Sequence, residues 1–153
     1  MPFTFTACHP GTQEDGAFSG ERFLEWLQSV KATCTESGHL EAAFTHLGKV
    51  LIHTPPDHDG LWINRTVAGA LNDKDAEDKR RGFEIGLYNS RGVHRVDPSG
   101  AGERKLAERF RNKAELAENA CFPRLATILR DLAKVYEQEA ERVVTECCKR
   151  TGD

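Results

Sequence analysis

Apolar residues recur with a helical period along most of this chain, and the longest such run fills its last third. Between Leu125 and Cys147 the apolar positions fall within an arc of about 140° when each residue turns by about 100°, the width of a core-facing helical stripe. Charged side chains occupy most of the opposite side. Pro123 suits a first helical turn, where its missing N–H costs nothing. The pattern predicts a long helix over residues 123–149.

A second apolar stripe precedes the long helix and predicts its partner. Leu106, Phe110 and Ala114 are spaced four residues apart, and Ser99 or Gly100 would cap the helix that contains them. Only residues 119–122 separate the two stripes, which is short enough to force an antiparallel return. The sequence therefore predicts one long helical hairpin over residues 102–150, around which the rest of the chain is organised.

Glu139 interrupts the apolar arc of the long helix near its middle. An antiparallel register centred near residues 121–122 places it level with Lys105. One interpretation is an ion pair with Lys105 at the edge of the seam, both charged groups reaching water. The other is a buried carboxylate with a raised pKa that serves as a general base. The sequence leaves both open.

Four shorter helices are predicted before the hairpin, over residues 19–37, 39–53, 61–71 and 74–89. Ser19 favours the start of the first helix, and Gly38 favours its end. Asp57 or Asp59 is expected to cap the third. The stripe of the first helix that is expected to face the core consists of Phe23, Leu27, Val30 and Cys34.

Residues 83–96 allow two interpretations. Phe83 and Leu87 fit one helical face, and the strongly helix-forming residues before them favour a helix up to Asn89. Alternation of Phe83, Ile85 and Leu87 with other residues would instead suit a β-hairpin with residues 93–96 as its second strand. We favour the helix, in which Gly82 and Gly86, four residues apart, would expose backbone for close helix packing. The predicted fold is then all-α, a helical bundle of five to six helices ending in a long antiparallel hairpin, with residues 1–18 as an N-terminal arm and 19–153 as a single helical domain.

Composition indicates an ordinary globular chain. Hydrophobic residues make up 39% and charged residues 29% of the 153 positions, which excludes a disordered chain. No apolar run approaches the ~20 residues that cross a bilayer, and the first residues lack the pattern of a signal peptide. Five cysteines, an odd number without a C-x-x-C pair, favour a reduced interior. We expect a cytoplasmic protein without a membrane partner.

Charge is unevenly distributed along the chain. The formal net charge is −3. Residues 1–78 hold 5 basic and 12 acidic side chains, a net of −7, whereas residues 79–113 hold 10 basic and 4 acidic side chains, a net of +6. This basic segment indicates internal charge complementarity or, less often, a surface for an anionic partner. Overall acidity and the lack of interleaved aromatic residues make nucleic-acid binding an unlikely function.

The polar stretch between the fourth helix and the hairpin contains the candidate site. It is dense in groups that bind oxyanions, and the N-terminus of the following helix could add backbone N–H groups. The alternative is a structural connector, in which Gly92 caps one helix and Asp97 the next. The candidate ligand-binding residues are Asn89, Ser90, Arg91, His94 and Arg95.

The histidines and cysteines predict no metal site. His39, His46 and His53 lie along one helical line but are separated by about 10.5 Å, too far for ligands that each lie ~2 Å from one zinc ion. The Asp- and His-containing turn at residues 57–59 has no standard zinc or calcium spacing. The glycines near residue 100 match no phosphate-binding loop. We expect no cofactor.

The run NSRGVHRVDPSG at residues 89–100, followed by the hairpin rich in Glu, Lys, Arg and Ala, resembles a small family of uncharacterised bacterial proteins. The resemblance covers residues 60–143. It implies a bacterial, all-helical protein. It implies no activity and assigns no site residue.

Two functions are therefore expected from different classes. The first is a non-enzymatic helical interaction or regulatory protein that forms a homo-oligomer through its C-terminal helix, because Val143, Val144 and Cys147 extend past the hairpin partner. The second is a small anionic ligand-binding protein or enzyme that uses residues 89–95. Serine nucleophile chemistry is disfavoured, since Ser90 lacks the G-x-S-x-G elbow.

Overall fold

The computed structural model describes residues 9–152, and every described element of regular structure is a helix. Thr12 and Phe18 form an isolated β-bridge, the only strand-like pairing among these residues. The prediction of an all-α bundle of five to six helices is confirmed. The helices are α1 (Gly20–Ser37), α2 (Leu40–Leu51), α3 (Arg65–Asn72), α4 (Glu77–Asn89), α5 (Ala101–Asn119) and α6 (Pro123–Thr151).

Helices α5 and α6 form the predicted antiparallel hairpin. Both helices bury one face, and the Phe110 ring of α5 stacks on the Tyr136 ring of α6 at 5.7 Å between centroids. Cys121 adopts a left-handed conformation (φ 68°) in the turn, and the Phe122 N–H donates to the Ala117 carbonyl over 2.8 Å. The amide oxygen of Asn72 accepts the Arg124 N–H over 2.8 Å, which ties the start of α6 to the end of α3.

Helices α2 and α4 pack through glycines. A Cβ at Gly48 would overlap the Lys79 carbonyl oxygen, and a Cβ at Gly82 would overlap the Thr45 carbonyl oxygen. Gly86 lies against the backbone of Lys49 in the same way. The expectation that Gly82 and Gly86 expose backbone for close helix packing is confirmed, and this packing fixes α4 as a helix. The β-hairpin alternative for residues 83–96 is wrong: α4 ends at Asn89 and an irregular connector, residues 90–100, follows.

The first helix differs from its prediction. Ser19 caps α1 by accepting the Arg22 N–H, and Gly38 ends it in a left-handed conformation, as expected. Phe23 is fully buried, but Val30 and Cys34 are only partly buried and do not join the core. Helix α1 therefore leaves an open groove along α2, because α2 already packs its other side against α4.

The third helix begins later than expected. Asn64, not Asp57 or Asp59, is its N-cap, and its side-chain oxygen accepts the Thr66 N–H over 2.9 Å. Asp59 instead receives two hydrogen bonds from the Arg65 guanidinium, at 2.5 and 2.7 Å. These bonds hold residues 57–64 as a loop over the core. Because Asp59 binds the Arg65 side chain, it does not cap α3, and the helix starts after Asn64.

The N-terminal arm is described only from His9 onward. His9 Nε2 lies 3.0 Å from the Thr54 hydroxyl, and the His9 ring packs edge-on against Phe18, so residues 9–18 dock on the domain. Residues 1–8 of the predicted arm lie outside the described residues. Among the described helices, none is both long and apolar enough to cross a membrane.

Candidate functional site

Four parts of the chain meet at one cluster of charged and aromatic side chains. The C-terminal end of α4 and the connector contribute Tyr88, Arg91 and His94. The first turn of α5 contributes Glu103, and the middle of α6 contributes Glu139. We call this set the Arg91 cluster: Tyr88, Arg91, His94, Glu103, Tyr136 and Glu139.

Glu103 is the buried centre of the Arg91 cluster, with only 2% of its surface exposed. Arg91 donates to its Oε1 over 2.6 Å, whereas Oε2 has no hydrogen-bond partner among the described residues. Burial favours the neutral acid. The hydrogen bonds from Arg91 and from the Glu103 backbone, with the charge of Arg91, outweigh burial and lower the pKa of Glu103. Glu103 is therefore ionised at neutral pH, and one of its oxygens is unsatisfied.

A close helix contact places Glu103 in this position. Gly100 precedes α5 in a left-handed conformation (φ 67°), and a Cβ there would lie 2.8 Å from the Ala140 carbonyl oxygen. The first turn of α5 therefore lies directly on α6, next to Glu139. Asp97 stabilises the approach by accepting the Ser99 N–H over 2.9 Å. The connector closes this end of the hairpin and directs Arg91 inward.

Glu139 is partly buried and bound by two groups of the cluster, not by Lys105. The Tyr88 hydroxyl donates to its Oε1 over 2.5 Å, and Arg91 lies 3.8 Å from its Oε2. The expected pair with Lys105 is wrong, because the C-terminal end of α4 and the connector reach Glu139 instead. The bond to Glu139 raises the pKa of Tyr88, so this phenol is a protonated hydrogen-bond donor at neutral pH.

Stacked aromatic rings pack against the charged side chains of the Arg91 cluster. The Tyr136 ring is stacked on Phe110 at 5.7 Å and on Tyr88 at 5.8 Å between ring centroids. The Arg91 guanidinium lies over the same Tyr136 ring at 5.7 Å. Arg91 is therefore held by a carboxylate on one side and an aromatic face on another, which fixes its position.

The five predicted site residues have different positions. Arg91 and His94 belong to the cluster, and Asn89 lines the adjoining cavity. Ser90 donates to the Leu87 carbonyl over 2.6 Å and so completes the end of α4. Arg95 is exposed, and its side chain makes no hydrogen bond or ion pair within residues 9–152. The cluster thus contains two of the five predicted residues and adds four that were not predicted: Tyr88, Glu103, Tyr136 and Glu139.

His94 is oriented toward Glu103. Its Nδ1 lies 3.2 Å from the Gly92 carbonyl oxygen, and its Nε2 lies 3.9 Å from Glu103 Oε1. The Gly92 carbonyl oxygen can accept a hydrogen bond from an N–H at Nδ1, and Nε2 faces the carboxylate. The Ser90 hydroxyl is committed to a backbone carbonyl and does not pair with this ring.

A groove runs from the Arg91 cluster along α4 and α6. It consists of two adjoining cavities of about 470 and 380 Å³ that share Tyr88 and Asn89. The first is polar and contains Arg91, His94 and Glu139. The second is mainly apolar, with Glu84 at its end. We call this feature the α4–α6 groove; the apolar lining consists of Ile85, Leu132 and Val135.

Negative charge exceeds positive charge along the α4–α6 groove. Arg91 is its one cationic lining residue, and it is shared between Glu103 and Glu139. Glu84 has no ion pair among the described residues, and burial, followed by repulsion from Asp131, raises the pKa of its carboxyl. The C-terminal end of α4, which carries partial negative charge, also lies at the polar cavity. No basic residue in the last turn of α4 offsets this charge.

Neither metal ligands nor similarity to known proteins indicates what this site binds. Among residues 9–152 there is no group of three or more His, Cys, Asp or Glu side chains arranged to hold a metal ion. No family model, curated protein or solved structure matches this chain. The resemblance to a small bacterial family stays a prediction.

Proposed function

We propose that this chain is a non-enzymatic binding protein whose α4–α6 groove takes a small ligand with a positively charged amine. The observation that carries the proposal is the charge balance of the groove. Among the described residues, its one arginine is already paired with two carboxylates, while Glu84 has no ion pair. A cation would relieve both the repulsion at Glu84 and the negative end of α4.

The groove surfaces support an amine with an apolar body. Tyr88, which is 42% exposed and lines both cavities, offers aromatic surface to a cation between Glu84 and Glu139. The adjoining apolar cavity, with Ile85 and Val135 partly exposed, suits hydrocarbon. An anionic ligand, the alternative that the sequence suggested, would have to displace a carboxylate from Arg91 before it could bind.

The arrangement of reactive groups supports binding in preference to catalysis. Ser90 bonds a carbonyl, the Tyr88 phenol has a raised pKa, and Arg91 is paired. A nucleophile in contact with a general base, the usual signature of covalent catalysis, is absent among the cluster residues described here.

The test is thermal unfolding against a panel of butylamine, 1,5-diaminopentane, arginine amide, phosphate and acetate. We expect the amines to raise the Tm and the anions to leave it unchanged. Glu84→Gln should abolish the amine effect, because it removes the groove carboxylate that has no ion pair among the described residues. Glu139→Gln should weaken the effect, because it removes the carboxylate at the polar end of the groove. Glu141→Gln is the matched control, since Glu141 is an exposed carboxylate on the same helix and lies outside the groove.

Two outcomes would count against the amine proposal. Stabilisation by phosphate or acetate that is lost in Arg91→Ala would favour the anionic ligand instead. An equal amine effect in Glu139→Gln and Glu141→Gln would show that amines act on the protein surface in general and not through the groove.

A homo-oligomer through α6 is a second candidate and has its own support. Gly100 packs against Ala140, so residues 141–151 of α6 extend past the start of α5. Val143, Val144 and Cys147 on this extension are partly buried. A second copy of the chain could cover them completely.

A further inference from the structure

A further cavity of the described chain shares no lining residue with the α4–α6 groove. It is an open groove of about 690 Å³ between α1 and α2. Trp26 of α1 is 39% exposed and Val50 of α2 is 41% exposed along it. We call it the α1–α2 groove; its apolar lining consists of Pro10, Trp26, Val30, Ala43, Leu47 and Val50.

The polar side chains of the α1–α2 groove are all bases. They are His46, Lys49 and His53 from α2 and the turn after it, with His9 from the N-terminal arm, and no carboxylate lines the groove. His9 is occupied by the Pro10 carbonyl and Thr54. His46, Lys49 and His53 have no ion pair or side-chain hydrogen bond within residues 9–152. An apolar cleft with only basic polar groups is complementary to an apolar molecule with an anionic group.

We propose that the α1–α2 groove binds a free long-chain monocarboxylic acid, with its alkyl chain along α2 and its carboxylate at Lys49 and His53. The lining residues of α2 and its following turn extend from Ala43 to His53, about 15 Å at the helical rise of 1.5 Å per residue. An extended twelve-carbon chain has a similar length. The volume also lies within the range of ligand pockets, about 300–1,000 Å³.

The lining residues favour a ligand with a negatively charged group as well as an apolar chain. The anion would meet the unpaired ammonium of Lys49 and an imidazole N–H of His53, whereas a cationic amphiphile would meet only bases. This site shares no residue with the α4–α6 groove. The two proposals can therefore fail independently.

The experiment is calorimetric titration of the full chain with octanoate, decanoate and dodecanoate, and with 1-dodecanol and dodecyltrimethylammonium, all below their micellar concentrations. We expect dodecanoate to bind most tightly. Each added methylene should lower Kd about fourfold until the chain fills the groove, as expected for burial of CH₂ groups. Lys49→Met should weaken dodecanoate binding about tenfold and leave 1-dodecanol unaffected.

A matched pair of variants tests the place of binding. Val50→Glu puts a carboxylate into the groove and should abolish dodecanoate binding. Leu24→Glu is the control, because Leu24 is 47% exposed on α1 and does not line the groove. Circular dichroism and the Tm establish that both variants are folded; if Val50→Glu is not, Val50→Ser replaces it with an expected loss of more than tenfold.

Several results would overturn the proposal. Dodecyltrimethylammonium binding as tightly as dodecanoate would refute the charge argument, and equal losses in Val50→Glu and Leu24→Glu would refute the location. A chain that binds no carboxylate but forms an oligomer that Val50→Glu dissociates would show that a second copy covers the groove.

Discussion

Replacing Arg91 by methionine removes the one charged group among residues 9–152 that hydrogen-bonds the buried Glu103. In the wild type, Arg91 donates to Glu103 Oε1 over 2.6 Å, and the other oxygen already lacks a partner. Methionine keeps an unbranched apolar stem but lacks the guanidinium, so it supplies neither the hydrogen bond to Glu103 nor the cation over the Tyr136 ring. The variant leaves a carboxylate that is 2% exposed with no compensating charge within hydrogen-bonding distance.

The expected loss of stability is about 3 kcal/mol. Removing one partner of a buried ion pair costs about 3–5 kcal/mol, mostly from the charge left behind. The lower end applies here because the Arg91 side chain is 17% exposed and water is close to the pair. Replacing both partners, as in Arg91→Met with Glu103→Leu, should recover most of this loss, since it leaves no buried charge.

Urea unfolding followed by circular dichroism measures the effect. With a urea dependence of about 2 kcal/mol per molar, the midpoint of Arg91→Met should fall by about 1.5 M. The deficit should also depend on pH. In the wild type the lowered pKa of Glu103 gives stability that is present above its ordinary pKa of 4.5 and lost as pH falls through the folded-state value. The difference between wild type and variant should therefore be largest near pH 7 and decrease below pH 4.5.

Arg95→Met is the control for general loss of a positive charge from the connector. Arg95 is exposed and unbonded within the described residues, so its replacement should change the stability by less than about 0.5 kcal/mol. Equal midpoints for the Arg91 and Arg95 variants would refute the buried-pair argument. So would a double variant that is less stable than Arg91→Met alone.

Three further predictions follow from packing, burial and the α6 extension. Gly82→Ala should lower the free energy of unfolding in urea by about 3 kcal/mol, because the added Cβ overlaps the backbone of α2. Gly69→Ala, in open space on α3, should raise it by about 0.5 kcal/mol. Equal effects of the two variants would contradict the close α2–α4 contact. Glu84→Gln should raise the free energy of unfolding at pH 7, since a raised pKa penalises the charged form, and this gain should vanish below the ordinary pKa of 4.5; a gain that persists at pH 3 would contradict it. Light scattering should find a dimer that Val143→Glu converts to a folded monomer, and a monomeric wild type would exclude assembly through α6.

The periodic pattern alone determined the helices and the C-terminal hairpin. Apolar residues at helical spacing force two long helices to bury one face each, and residues 119–122 allow only an antiparallel return. Ser19, Gly38 and Pro123 act through local backbone geometry, so their positions at the helix ends are readable from sequence. Gly82 and Gly86 likewise indicated close packing of α4, although the pattern did not identify α2 as the partner.

Side-chain partners over long sequence separations could not be read in this way. Glu103 is one of many charged residues on a helix whose other charges face water, and it is buried only because Gly100 lets the first turn of α5 lie on α6. Glu139 was conspicuous within an apolar arc, but a register argument within the hairpin assigned it to Lys105 and ignored α4. The informative residues in the sequence are the carboxylates that could pair with the connector arginines.

The sequence by itself therefore determined which segments are helical and which polar stretch closes the hairpin, because those depend on local periodicity and turn chemistry. The charge of the candidate site was decided by the tertiary structure. The basic and polar residues of 89–95 suggested an anionic ligand as one of two interpretations. In the folded protein, however, Arg91 is paired with carboxylates from α5 and α6, and Glu84 has no ion pair among the described residues. Electrostatic balance is a property of groups brought within a few ångströms, and only packing brings them there.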